Sequence, residues 1–165
     1  MKKVADLVLK GGRVIDPAEG IDTVTDNSIS AGKIISLGKD LDGTETIDVS
    51  NRIVIPGMID THAHDDGAFF RHPGMQFKLS QGVTTVVSGN CGFSAIPADP
   101  TKDSVAASGG ILAGLEGEFT VLDGYYAAAL TRQPAINNMM LVGHNTVRSL
   151  VMGNSKNAPS HLELQ

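Results

Sequence analysis

The sequence predicts an α/β chain in two parts: a small β-sandwich segment over residues 1–52, then the first βα units of a parallel sheet over residues 53–165. Three observations predict it. Turn signals recur at roughly 8–12-residue spacing through the first fifty positions, as in a small sheet or sandwich. Continuous apolar runs follow, Ile53-Val54-Ile55, Val83-Thr84-Thr85-Val86-Val87 and Met139-Met140-Leu141-Val142, of the kind that suits strands covered on both faces. Helix-compatible segments separate these runs, and strand, helix, strand, helix, strand reads as βα units.

The elements follow in order. Val4 to Leu9 is apolar with period-2 interruptions, and Gly11-Gly12 reads as the turn after it. Arg13-Val14-Ile15-Asp16 is a second short strand, stopped by Pro17. Asn27 to Ser30 and Lys33 to Leu37 pair as a hairpin about Ala31-Gly32, and Thr46 to Val49 is a last short strand. Beyond Arg52, Ile53-Val54-Ile55 leads through Pro56-Gly57 into Met58-Ile59-Asp60. Met75 to Gln81 fits a short helix with Gly82 past its end. Ser94 to Glu118, rich in Gly, Ala and Ser, reads as a large loop with some helix; its Gly109-Gly110 and Gly114 lack the Gly-Lys-Ser/Thr of a phosphate loop. Asp123 to Arg132 is helical, stopped before Pro134. The tail turns helical again after Pro159-Ser160-His161.

The chain has 165 residues, too few for a closed eight-stranded α/β barrel of about 250. With 41% hydrophobic and 19% charged residues it is a globular sequence. A net charge of -5 and no basic cluster argue against a nucleic-acid partner. No apolar stretch approaches the roughly 20 residues of a membrane span, and no leader pattern opens the chain, so a cytoplasmic location is expected. One cysteine, Cys91, excludes an internal disulfide.

Chemistry concentrates at two strand ends. In Asp60-Thr61-His62-Ala63-His64-Asp65-Asp66 the two histidines are two positions apart, so on an extended strand their rings share a side, with Cα atoms about 6.5–7 Å apart. Imidazoles so placed can converge on one metal ion. Cys91, in Ser88-Gly89-Asn90-Cys91-Gly92, stands just past the next strand, on the same rim. A thiolate there can ligate zinc or act as a nucleophile beside a histidine base, or the residue can be a small buried hydrophobe. Asp60 can orient a histidine or cap the strand. Asp65 and Asp66 can support the ligands from behind, face the substrate, or form a solvated acidic pair. His144, at the end of the third strand, is a pocket or wall residue. Arg148 can meet a substrate carboxylate or make a structural pair. His72 reads as loop, and His161 as a helix start rather than a ligand.

These residues carry a resemblance. Pro56-Gly57-Met58-Ile59-Asp60-Thr61-His62-Ala63-His64 resembles the first-strand signature of the metal-dependent amidohydrolases. The Gly82–Val87 run, Gly89-Asn90-Cys91-Gly92-Phe93-Ser94 and Gly143-His144-Asn145-Thr146-Val147-Arg148 extend it to the N-acyl-D-amino-acid deacylases, or D-aminoacylases. The resemblance covers essentially the whole chain. It implies the N-terminal part of an amidohydrolase: a β segment plus the first three βα units of an incomplete (β/α)₈ barrel. It implies hydrolysis of the N-acyl amide of a small-molecule N-acyl-D-amino acid, with His62, His64 and Cys91 as metal ligands and Cys91 able to bridge two zinc positions. Zn²⁺, one or two ions in the complete enzyme, suits that donor set. The family's two further histidines and its catalytic aspartate have no counterpart among these 165 residues. Alternatives are a non-catalytic, partial metal-binding module, or another amidohydrolase acting on cyclic amides or dipeptides, against which Cys91 argues. Three strands cannot close a barrel, so self-association or a complementing remainder of the barrel is expected.

Overall fold

The computed structural model describes residues 4–99 and 119–164, which form two compact units dividing between Pro56 and Gly57. Gly109, Gly110, Gly114 and most of the predicted loop lie outside the described residues.

The first unit is one mixed sheet rather than a sandwich. Its strands are β1 (Ala5–Asp16), β2 (Ile21–Ser30), β3 (Lys33–Gly38), β4 (Gly43–Asp48) and β5 (Ile53–Val54). The order is β3-β2-β1-β4, with β5 also on β1. Ala5, Val8 and Val14 are buried, whereas Val24, Ile34 and Ile53 are exposed. Period-2 alternation shows that a strand has two faces; it does not say whether a second sheet covers the outer one. The predicted hairpin forms, with Ala31 and Gly32 both at positive φ in the two-residue turn.

Gly11-Gly12 is not a turn. β1 runs straight through it as a single strand of 12 residues, with a register shift against β2 between Leu9 and Gly12. The irregularity falls where β1 changes parallel partner, from β4 over Ala5–Lys10 to β5 at Arg13–Val14. Gly11 takes φ +73° and donates its amide to Asp26 Oδ1 at 3.0 Å. A Cβ on Gly12 would stand 2.9 Å from the methyls of Val49 and Val54. Two glycines are needed here because another part of the chain crosses closely, a reason local sequence does not carry.

Ile53-Val54 therefore belongs to the first sheet, and the second unit starts at Gly57, not residue 53. A Cβ on Gly57 would fall within 2.0 Å of the Thr84 side chain. The second unit's sheet is parallel, in the order β6 (Met58–Asp60), β7 (Val83–Ser88), β8 (Asn137–Met140). Among the described residues its helices are α1 (Ala68–Arg71), α2 (Gln76–Leu79), α3 (Leu122–Thr131) and α4 (His144–Met152). The core gathers Phe69, Phe70, Met75, Val86, Tyr125 and Ile136. Tyr125 is edge-on to Phe70 at 5.4 Å and to Phe119 at 5.6 Å. The strands are not covered on both faces, as their composition predicts. Ile59 is 61% and Met139 62% exposed, whereas Val86 is fully buried. β8 ends at Met140, and the exposed Leu141 and Val142 lead into α4. After it, Ser160 and Glu163 cap each other's amides at a 3-10 turn (Leu162–Leu164). Among the described residues, no helix is long and apolar enough to cross a membrane.

Candidate metal centre

The candidate centre sits at the C-terminal ends of β6 and β7. After Asp60 the chain leaves the sheet but stays pinned to it. Ala63 donates its amide to Val87 O at 3.0 Å, and the Asn90 side chain donates to Val87 O at 2.7 Å and to Ala63 O at 3.4 Å. The Ala63 side chain points into the core. The neighbours His62 and His64 are thereby turned toward the Cys91 loop.

The three side chains meet. One ligand atom from each of His62, His64 and Cys91 lies within 4.8 Å of the others, and His62 Nε2 is 3.1 Å from Cys91 Sγ. The two imidazole rings stand edge to face, 5.5 Å between centroids. His64 is half-buried, and its Nδ1 is buried without a hydrogen-bond partner. A buried ring nitrogen left unpaired costs free energy. Two imidazoles with a thiolate are a donor set that zinc accepts. The residues present therefore fit a metal ion.

Cys91 reaches this place through an uncommon backbone. It takes φ +56° between Gly89 at +78° and Gly92 at +80°. The N-terminus of α4 grips the loop from the far side. Asn145 donates its amide to Gly92 O at 2.8 Å, Gly143 donates to Ser94 Oγ at 2.9 Å, and Ser94 donates to Thr146 Oγ1 at 2.9 Å. Ser94 and Thr146 are buried.

The acids after β6 do not join the cluster. Asp60 caps the strand end by accepting the His62 amide at 3.1 Å; it does not hold a histidine ring. Its other oxygen is 2.6 Å from Lys78 Nζ, which also lies 2.9 Å from Asp65 Oδ2. The Lys78 ammonium, with the His62 amide, holds the Asp60 carboxyl below the usual carboxylate range. Burial alone would lower the Lys78 pKa; the two carboxylates outweigh it and raise it.

Asp65 and Asp66 are not a solvated pair. Asp66 is fully buried, accepting the Ala95 amide at 2.9 Å, and its carbonyl accepts the Tyr125 hydroxyl at 2.8 Å. Burial pushes its carboxyl up, against the backbone amides that favour the charge. His144 is exposed as the first residue of α4 and is outside the cluster. The Arg148 guanidinium makes a structural pair, donating to Ser155 O at 3.0 Å and Asn157 O at 2.8 Å and closing the chain beyond α4. Lys78, Ser94 and Thr146 escape the sequence reading. Lys78 carries one signal: it is the lone cation of the short helix that leads from the acid-flanked histidines into the next strand.

Comparison with known proteins shows the family. The model of the amidohydrolase family matches residues 45–161. The chain is 40% identical to the N-acyl-D-glutamate deacylase of Alcaligenes xylosoxydans xylosoxydans, over 99% of this chain and 33% of that protein. The crystal structure of N-acyl-D-glutamate deacylase from Bordetella bronchiseptica, complexed with zinc and a phosphonate inhibitor, superposes with a TM-score of 0.84 at 34% identity, over 98% of this chain and 34% of that one. A D-aminoacylase crystal structure gives a TM-score of 0.85 at 34% identity over the same shares. The chain thus spans about a third of the length of the relatives it matches. The family model covers both strand ends that bear His62, His64 and Cys91, and on that match the chain belongs to the amidohydrolase family.

Proposed function

We propose that this chain carries the first part of the active site of a metal-dependent hydrolase that cleaves the amide bond of N-acyl-D-amino acids. The observation that carries the reading is the convergence of His62, His64 and Cys91 at the ends of two adjacent parallel strands. These three would hold Zn²⁺, one or two ions in the complete enzyme, since a thiolate among imidazoles selects a soft, four-coordinate ion. When bound, the metal supplies Lewis acidity and a water acidic enough to ionise near neutral pH.

The chain's own residues bind and orient. Asn90 and Ala63 fix the two strand ends to each other, and α4 holds the cysteine loop. Among the described residues, the acids beside the cluster are engaged elsewhere: Asp60 and Asp65 pair with Lys78, and Asp66 accepts the Ala95 amide. We assign the proton transfer to the part of the enzyme that this chain does not include. The parallel strands β6 to β8 read as the first three of a (β/α)₈ barrel, helices on one face and the exposed Ile59 and Met139 on the other.

A second reading concerns the chain by itself. Because it spans only a third of its relatives, it is expected to bind metal without turnover. The test is zinc content and hydrolysis of N-acetyl-D-glutamate, N-acetyl-D-methionine and their L enantiomers, by the chain and by the complete gene product. Cys91→Ala is expected to lower zinc affinity by more than the roughly 10–100-fold typical of losing an outer partner. Zinc retained in full by Cys91→Ala would sink the assignment. Preference for dihydroorotate or hydantoins over N-acyl-D-amino acids would sink the substrate class.

A further inference from the structure

We propose that Lys78 is the positioning residue of the metal-ligand pair, closing the His62–His64 segment into a fixed loop and keeping the flanking acids off the metal. The inference rests on the metal reading above. Lys78 Nζ is 2.6 Å from Asp60 Oδ2 and 2.9 Å from Asp65 Oδ2. These two residues stand immediately outside Thr61-His62-Ala63-His64, so one ammonium ties both ends of the ligand-bearing segment. The remaining Asp60 oxygen accepts the His62 amide at 3.1 Å, which carries the constraint into the backbone of the first ligand.

Lys78 is itself held. It lies in α2, and its amide bonds Met75 O at 2.9 Å, beside a Met75 side chain that is fully buried. Its side chain is only 18% exposed, so the charge is poorly screened. Without it, two carboxylates would face each other across the space the ammonium fills, and like charges at that range repel. Each would also be free to swing toward a nearby cation, offering hard oxygen where the cluster offers nitrogen and sulfur. A single lysine therefore sets both the geometry of the histidine pair and the chemical identity of the donors.

The test compares wild type, Lys78→Met and Lys78→Arg. Two quantities are read: amide hydrogen exchange of residues 60–65 in the metal-free chain, and zinc affinity in competition with a chromogenic chelator. Lys78→Met is expected to speed exchange at His62 and Ala63 while leaving α3 unchanged, and to weaken zinc about tenfold or more. Lys78→Arg, which keeps the charge, is expected to preserve most of both. Unchanged exchange in Lys78→Met, or faster exchange with unchanged zinc affinity, overturns the proposal. Should Lys78→Met not fold, Lys78→Met combined with Asp60→Asn and Asp65→Asn removes the repulsion. A triple variant that still binds zinc weakly supports positioning; one that matches wild type overturns the positioning of the His62–His64 segment, since restraining the acids would then be the lysine's whole role. A wild-type chain that takes up no zinc overturns the metal reading, an outcome separate from any difference among the Lys78 variants.

Discussion

Cys91 sits in a backbone region that side-chain-bearing residues rarely adopt, at a cost on the order of 1–2 kcal/mol. The cost is tolerated because both flanking glycines share the left-handed conformation and because Asn90 and α4 hold the loop from two sides. Sequence exposes part of this. The two-residue spacing of His62 and His64 marks them as a pair, although both lie past the end of β6 and the Ala63 amide on Val87 O, not strand alternation, sets their direction; the glycines around Cys91 announce close approach. The fate of the acids is not legible, because it depends on which side chain waits opposite: Lys78 for Asp60 and Asp65, and the Ala95 amide for Asp66. Tyr125 was likewise hidden. It reads as one apolar position of a helix, yet its hydroxyl donates to Asp66 O and accepts from Asn138 Nδ2 at 3.3 Å, and burial raises its pKa. Removing that hydroxyl in Tyr125→Phe leaves a buried carbonyl and amide short of a partner. Urea melts are expected to show a loss of about 1–3 kcal/mol; an unchanged midpoint would mean that water replaces the hydroxyl.

At the scale of elements, the loops after β7 and β8 are pressed together at glycines. A Cβ on Gly89 would stand 1.9 Å from Leu141 O, and one on Gly143 would stand 2.4 Å from Gly92 O. Gly82 shares the positive φ of Gly89 but has nothing within 4 Å. The pair separates backbone preference from contact. Gly82→Ala is expected to cost about 1–2 kcal/mol, and Gly89→Ala about 4 kcal/mol or more, with zinc uptake impaired. Equal thermal shifts for the two would refute the close-contact account. β7 is legible from its β-branched run and α3 from Pro134 just beyond its end. The sequence of β1 reads as two strands because a glycine pair marks a bulge and a turn alike. The four-residue α1 is too short to show a period.

At the scale of the molecule, each unit leaves apolar side chains exposed. In the second unit, Ile59 shares a sheet face with Thr85, to which it is registered, and Met139 shares one with Val87. Such a face on a parallel sheet is normally covered. The chain is therefore expected to self-associate, and Ile59→Lys with Met139→Lys to shift it toward monomer in sedimentation without lowering its melting temperature. A monomeric wild type would count against an open face. The alternation of strand-like and helix-like segments foretells an α/β chain. It does not foretell that the first part is a single sheet, nor that Ile53-Val54 closes that sheet instead of opening the next.

That last detail gives β1 an unusual duty. β4 and β5 lie in tandem along one of its edges, and the four residues from Val49 to Arg52 make the step between them, with Val49 donating to Lys10 O and Arg13 to Arg52 O. The step and the bulge opposite are two sides of one joint, matched in length like a tenon and its mortise. A residue inserted or lost between Val49 and Arg52 would misalign β5 by one position and exchange the inward and outward roles of Ile53 and Val54. This short linker, unlike most connections on a protein surface, has no freedom to change its length.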